Sequence, residues 1–237
     1  MCFTGNLPAL RAFKDDSAHV AAVNNATARG PTVGGDILSE PIRGEEPSTN
    51  VLHGALRNAT ADVHARLHEH SGLAAVAAGR IDAAGYRRLL LRLYGFYLPF
   101  EAAAGLDPLR SGWLASDLAV LDTPQWQFAE AGFCSALPRL DSAEAVLGAM
   151  YVVEGSALGG RGLARHLADL TGAGSLAGRR FFASDGADTG RAWRAFADRL
   201  RLVPHNPAIQ RTVVAAAVAT FCCFETWLNG WEAQGNA

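Results

Sequence analysis

One glycine-interrupted helical run, Met150–Leu167, constrains this chain more than any other stretch; it reads MYVVEGSALGGRGLARHL. Asp141, Ser142 and Glu144 form a capping signal in front of the run, and Gly172 lies behind it as a stop signal. Four glycines lie inside the run: Gly155, Gly159, Gly160 and Gly162. Because each glycine costs about 1 kcal/mol relative to alanine in a helix interior, these four positions need a packing or functional reason.

Gly155 and Gly159 are four residues apart and therefore share one face of the predicted helix. A face without side chains lets a flat or bulky group approach the backbone, or lets a neighbouring helix pack closely, and the spacing leaves both interpretations open. A phosphate-binding loop is excluded. The glycine spacing matches neither the dinucleotide fingerprint nor the P-loop, and no βαβ pattern surrounds it.

The composition predicts one globular domain and argues against several classes of partner. At 237 residues and 49% apolar residues, the chain can bury one sizeable core. Its formal net charge of −2 implies no general affinity for nucleic acid or for an anionic membrane. The longest apolar run, Val213–Phe224, is shorter than a membrane span, and residues 1–30 lack the apolar core of a secretory signal. The four cysteines form no C-x-x-C motif and no plausible disulfide framework, so we expect a reduced, cytoplasmic setting.

Helical periodicity begins at Val51 and continues almost to the end of the chain. Residues 1–50 show no sustained period and are predicted to form a flexible N-terminal arm. Residues 51–232 are predicted to form an all-α, single-domain helical bundle without strands or internal repeats. The predicted helices are, in order, Val51–His70, a segment capped by Asp82 and ending at Ala104, Leu109–Leu121, Pro124–Ala131, the glycine-interrupted helix, Gly190–Arg201 capped by Thr189, and a last helix from Asn206 and Pro207 to Trp231.

Histidines on the first predicted helix are candidate metal ligands. His64 and His68 are four residues apart, and a H-x-x-x-H pair can chelate a metal only with further ligands. The chain has no H-E-x-x-H and no E-x-x-H, which argues against zinc-protease and di-iron carboxylate chemistry. Arg57 precedes His64 by two helical turns, about 10 Å along the axis. That spacing suits a porphyrin, with iron on the imidazole and a propionate on the guanidinium. The alternative is that both are ordinary surface residues.

Several motifs together resemble the heme oxygenase family. The segments that carry the resemblance are LRNATADVHARL (Leu56–Leu67), YRRLLLRLYGFYLPFE (Tyr86–Glu101), YVVEGSALGG (Tyr151–Gly160), RFF (Arg180–Phe182), W-x-x-F (Trp193 and Phe196) and the Phe221–Trp227 segment. They occur in the family's order over about Val51–Trp231. The nearest branch is the bacterial, biliverdin-forming type that often accompanies bacteriophytochromes.

The resemblance implies roles for particular residues. His64 would bind the heme iron and Arg57 one propionate, while Gly155 and Gly159 would let the distal helix lie over the heme. Ser156 would contribute to a distal water network. For the remaining contacts, the resemblance favours Arg194 for the second propionate, Phe221 for the pocket lining and a solvent-facing Glu154, with Tyr151, Arg191 and Arg199 as alternatives to Arg194.

The resemblance also implies a reaction and its partners. Heme is both substrate and cofactor in this family, and dioxygen with an external reductant converts it to biliverdin, carbon monoxide and iron. The expected electron donor is a ferredoxin or flavodoxin with its reductase, docking on the arginine-rich helix around Arg194. A bacteriophytochrome is an expected recipient of the biliverdin. No nucleic-acid or membrane partner is expected.

One departure from the family keeps two other functions open. Many members carry an acidic residue four positions after the ligand histidine, where it hydrogen-bonds the second ring nitrogen; here that residue is His68. The departure favours a heme-binding protein that stores or senses heme without degrading it. A helical scaffold that has lost its cofactor is the third hypothesis.

Overall fold

The computed structural model describes residues 51–184 and 188–231, and all regular structure in those two ranges is helical. This confirms the all-α fold class predicted from the periodicity. The predicted arm over residues 1–50 lies outside the described residues. The end of the predicted domain, at residue 232, lies outside them as well.

Ten α-helices follow one another along the described ranges. They are α1 (Val51–His68), α2 (Ser71–Ala77), α3 (Ala83–Ala103), α4 (Leu109–Val120), α5 (Gln125–Ala131), α6 (Ala143–His166), α7 (Ala168–Thr171), α8 (Arg180–Ala183), α9 (Thr189–Arg201) and α10 (Pro207–Leu228). The glycine-interrupted helix is therefore α6. It is the longest of the ten.

Local capping chemistry explains where the long helices begin. The side chains of Asp82, Ser142 and Asn206 each accept a hydrogen bond from a backbone N–H in the first turn of α3, α6 and α10. These three starts confirm the sequence prediction. The predicted cap at Thr189 is wrong: Thr189 is the first residue of α9, and Asp188 precedes it without a side-chain cap bond.

The structure contains two short helices, α2 and α8, that the sequence analysis did not predict. The first helix ends at His68 rather than His70, and α2 begins after a two-residue break. The glycine-interrupted helix ends at His166, and the short α7 extends from there to Gly172, which has a φ of 91°. That left-handed conformation suits glycine and stops the helical path.

The core lies between α3, α6 and α10, and close backbone contacts hold α6 against α10 and α3 against the residue that follows α5. A Cβ built at Gly148 of α6 would lie 2.1 Å from the carbonyl oxygen of Val213 in α10. A Cβ built at Gly95 of α3 would lie 2.5 Å from the carbonyl oxygen of Gly132, which follows α5. Because only glycine permits such approaches, Gly148 and Gly95 are the positions where helix packing requires glycine.

Helix α10 is longer than the apolar run at its centre. It has 22 residues, and an 18-residue window within it has a mean hydropathy of 1.4, so by length and composition alone it could cross a membrane. This corrects the expectation that no segment is long enough. A core helix passes the same test, and α10 packs against α6, α1 and α3 through a buried face.

The cysteines of the described ranges are free thiols. Sγ of Cys134 and Sγ of Cys223 lie 3.5 Å apart, in contact but not bonded, and Cys223 also contacts the carbonyl oxygen of Ala136. Burial raises the pKa of Cys223 to about 12. Cys223 therefore carries a neutral thiol at physiological pH.

Candidate functional site

A cavity of about 500 Å³ opens among α1, α6, α8 and α10, within the size range of small-molecule sites. Its lining is largely apolar. The histidines, glycines, aromatic rings and other polar residues of the lining include His64, His68, Tyr97, Arg110, Gly155, Ser156, Gly159, Gly160, Phe181, Phe182 and Phe221. The cavity thus brings together five of the residues predicted from the sequence: His64, Gly155, Ser156, Gly159 and Phe221.

The imidazole of His64 is oriented by two neighbouring rings. The ring centroids of His64 and Phe221 are 6.1 Å apart with an interplanar angle of 88°, and those of His64 and His68 are 4.6 Å apart at 75°. Partial burial, and then the charge of His68, hold the pKa of His64 below its ordinary value of 6.5. The imidazole is therefore neutral at physiological pH and has a nitrogen lone pair for a metal.

The glycines of α6 differ in what surrounds them. A Cβ built at Gly159 would meet no atom within 4 Å, and one at Gly155 would meet only the ring of Trp193, at 3.7 Å. A Cβ at Gly160 would lie 3.1 Å from the carbonyl oxygen of Phe182. Close helix packing therefore does not explain Gly155 or Gly159. Their bare faces contribute to the cavity wall, whereas at Gly160 the missing side chain lets the backbone of α8 approach closely.

Ser156 lines the cavity but its hydroxyl proton is already used. Its Oγ donates a hydrogen bond of 2.7 Å to the carbonyl oxygen of Val152, one turn earlier in α6. The hydroxyl oxygen can still accept a hydrogen bond from a water molecule. The predicted part of Ser156 in a water network is therefore limited to accepting.

Three predicted residues do not line the cavity: Arg57, Tyr151 and Arg194. Burial raises the pKa of Tyr151, while a hydrogen bond with Thr60 and the charge of Arg57 oppose that rise, so Arg57 and Tyr151 are neighbours. The ring of Tyr151 lies 5.9 Å from that of Trp193, which in turn approaches Gly155. Arg194 is exposed on α9 and lines no part of the cavity. The propionate roles predicted for these residues stay predictions.

The sequence analysis missed a buried charge in the cavity wall. Arg110 of α4 lines the cavity, and its Nη2 lies 3.1 Å from Oε1 of Glu154, with the side chains only 10% and 19% exposed. The prediction that Glu154 faces solvent is therefore wrong. Glu154 directly precedes Gly155, so the ion pair ties α4 to the glycine-bearing turn of α6. The sequence does not show which helix packs against this turn of α6. The one available signal for a buried Glu154 was its position inside the glycine motif.

The same part of the cavity wall contains a buried tyrosine. Tyr97 is 3% exposed, and burial raises its pKa to about 12. Its ring packs edge-on against Phe181 at 5.1 Å. The phenol therefore stays protonated at physiological pH. It lies close enough to Arg110 and Glu154 for their charges to affect its pKa. This region is polar, whereas most of the lining is apolar.

Comparison with known proteins identifies the family to which this arrangement belongs. A family model described as heme oxygenase matches residues 50–230. The chain belongs to the heme oxygenase family. It is 32% identical over 166 residues to a protein named heme oxygenase from Xanthomonas campestris pv. campestris, covering 65% of this chain and 94% of that relative. The family assignment makes the protein an oxidoreductase.

Solved heme oxygenase structures share the fold. Heme oxygenase-1 from the cyanobacterium Synechocystis sp. PCC6803, solved in complex with heme, superposes with a TM-score of 0.62 at 18% identity, covering 77% of this chain and 93% of that one. The heme oxygenase of Leptospira interrogans gives a TM-score of 0.61 at 16% identity, with coverage of 75% and 98%. The helical bundle around the cavity is thus the heme oxygenase fold.

Proposed function

We propose that this protein is a heme oxygenase that cleaves heme to biliverdin, carbon monoxide and iron, using dioxygen and an external reductant. The observation that carries the proposal is the shared cavity: a neutral imidazole, His64, and a bare helical face at Gly159 line the same apolar space. The relative from Synechocystis was solved with heme, which supports heme as the ligand of this cavity.

The residues of the cavity fit a heme group. A nitrogen ligand is available at His64, whose lowered pKa keeps it neutral. The space at Gly159, where a Cβ would meet no atom within 4 Å, can accommodate a flat ring against the α6 backbone. When bound, heme supplies both the iron that handles dioxygen and the porphyrin carbon that is oxidised.

Each part of the wall has a separate task in this proposal. His64 holds the iron, and the edge-on rings of Phe221 and His68 restrict the rotation of its imidazole. The open faces of Gly155 and Gly159 leave room for dioxygen next to the porphyrin edge. An apolar lining excludes bulk water, so the polar wall around Arg110 is where ordered water would collect.

Further parts of the proposal concern the edge of the heme and its partners. Arg57, a neighbour of Tyr151, binds one propionate, and Arg194 binds the second. Exposed arginines of α9 (Arg191, Arg194, Arg199 and Arg201) offer an acidic ferredoxin or flavodoxin a docking surface in the cytoplasm. A bacteriophytochrome receives the biliverdin.

One observation favours a second function, heme binding without degradation. His68 stands where many family members have an acidic residue, and its ring lies 4.6 Å from that of His64. An imidazole accepts a weaker hydrogen bond than a carboxylate does. The imidazole of His64 would therefore carry less negative charge and donate less electron density to the iron. A protein of this kind would store or sense heme.

A pigment assay tests the proposal. Purified protein is titrated with hemin, and the complex is then supplied with ascorbate or a ferredoxin–reductase system in air. We expect a Soret band that decays as a bilin absorption grows. A stable Soret band under reducing turnover would contradict the proposal in favour of the heme-binding protein, and the absence of any band would favour the scaffold.

A further inference from the structure

Helix α8 contributes two aromatic residues to the cavity wall but has little stability of its own. Phe181 and Phe182 both line the cavity. The helix has only four residues, and its N-cap residue, Arg179, makes no side-chain cap bond. An isolated helix of one turn does not form in water, so tertiary contacts must hold the two rings in place.

A buried carboxylate from another helix replaces the missing cap. Asp117 of α4 is 1% exposed. Its Oδ1 accepts a 2.8 Å hydrogen bond from the backbone N–H of Arg180, and its Oδ2 accepts one of 2.8 Å from that of Phe181. Burial raises the pKa of Asp117, and these N–H donors oppose that rise because they favour the carboxylate. The two hydrogen bonds join α4 to the backbone of Arg180 and of Phe181, and Phe181 lines the cavity.

Two more contacts hold the same segment from other sides. The hydroxyl of Tyr86 in α3 donates a 2.8 Å hydrogen bond to the carbonyl oxygen of Gly178. On the α6 side, the backbone of Phe182 approaches Gly160 so closely that a Cβ there would lie 3.1 Å from its carbonyl oxygen. The segment is thus fixed between α3, α4 and α6, and of these three contacts the one from α4 involves a charge.

We propose that Asp117 is a positioning residue that acts through α8: by holding the backbone of Arg180 and Phe181, it sets the aromatic wall against which the porphyrin orients. This inference rests on the proposed function. The ring of Phe181 packs against Tyr97 at 5.1 Å, so a shift of α8 also changes the polar part of the wall. Heme is asymmetric at its edge, and the wall therefore decides which meso carbon is presented for oxidation.

The test compares Asp117→Asn and Asp117→Ala with Asp82→Ala. The asparagine variant keeps one acceptor oxygen and the alanine variant keeps none, while Asp82 is a cap of the same kind on α3 that does not line the cavity. Three properties are measured: amide hydrogen exchange of residues 180–183 in the heme-free protein, hemin affinity, and the ratio of biliverdin isomers by chromatography. We expect faster exchange, about tenfold weaker hemin binding and a changed isomer ratio for Asp117→Ala, with smaller changes for Asp117→Asn. Asp82→Ala should behave as wild type in all three.

Two results would overturn the inference. The first is wild-type exchange at residues 180–183 in Asp117→Ala. The second is faster exchange there with unchanged hemin affinity and isomer ratio, since that would make the contact structural only. Should Asp117→Ala not fold, Asp117→Asn, which keeps one acceptor oxygen, must still show faster exchange at residues 180–183 and a changed isomer ratio. Failure of the proposed function is distinguishable, because it shows in the wild type as the absence of bilin.

Discussion

The glycines of α6 give a sharp pair of substitutions, Gly159→Ala and Gly148→Ala. Both glycines lie inside the same helix, so both substitutions gain about 1 kcal/mol of helix propensity. A methyl group at Gly159 meets nothing within 4 Å, whereas at Gly148 it would lie 2.1 Å from the carbonyl oxygen of Val213. The two variants should therefore change stability in opposite directions.

The magnitudes follow from those contacts. For Gly159→Ala we expect an unfolding free energy up to about 1 kcal/mol higher in the heme-free protein, which raises Tm by about 2–4 °C for a domain of this size. For Gly148→Ala, α6 and α10 must separate, and the cost of about 1–3 kcal/mol or more exceeds the propensity gain. Chemical denaturation and thermal unfolding of the heme-free proteins measure both changes.

Function should change in the other order. The Gly159→Ala side chain intrudes into the cavity where we propose that heme binds, and a misplacement of about 1 Å at a reacting centre can lower a rate up to about a hundredfold. Gly159→Leu should impair ligand binding to the heme outright. Gly148→Ala should lose activity only in proportion to lost fold. A Gly159→Ala protein that melts well below wild type yet degrades heme at the normal rate would refute the reasoning.

Three further predictions concern the rest of the site. His68→Ala removes the charge near His64 and should raise the pKa of His64 toward 6.5, which NMR titration of the heme-free protein measures. Folding favours the neutral imidazole of His64. Its contribution to the free energy of unfolding is therefore present above pH 6.5 and is lost as the pH falls through the pKa in the folded state. Arg110→Met should destabilise more than the double variant Arg110→Met/Glu154→Gln in chemical denaturation, because the single change leaves a partly buried charge unpaired. A protein starting at Val51 should degrade heme at the wild-type rate, and weaker hemin binding would contradict this.

Sequence patterns predicted the features that depend on neighbouring residues. The caps at Asp82, Ser142 and Asn206 bond to N–H groups two or three positions ahead, so their signal lies within one turn of chain. Helix α8 was not predicted because the contacts that hold it are tertiary, among them the hydrogen bonds to Asp117, more than sixty positions earlier. The family resemblance around His64 could be recognised because its motif, Leu56–Leu67, is one continuous stretch of sequence.

The remaining features depend on how the helices pack against one another, which sequence patterns do not show. Gly148 and Gly159 look equivalent in the sequence, yet one contacts the α10 backbone and the other opens into the cavity. Glu154 was predicted to face solvent, and only the packing of α4 places Arg110 beside it. The spacing of the arginines in α9 did not show which of them lies near the cavity, and Arg194 does not line it.

The central claim, that His64 is the residue through which this protein holds heme for cleavage, is tested most directly by resonance Raman spectroscopy of the ferrous complexes. His64→Ala is compared with His68→Ala, the matched change one turn away on the same helix. We predict that His64→Ala loses the iron–histidine stretching band and regains a comparable band on addition of imidazole, whereas His68→Ala keeps it. A wild-type band in His64→Ala together with its loss in His68→Ala would contradict the account.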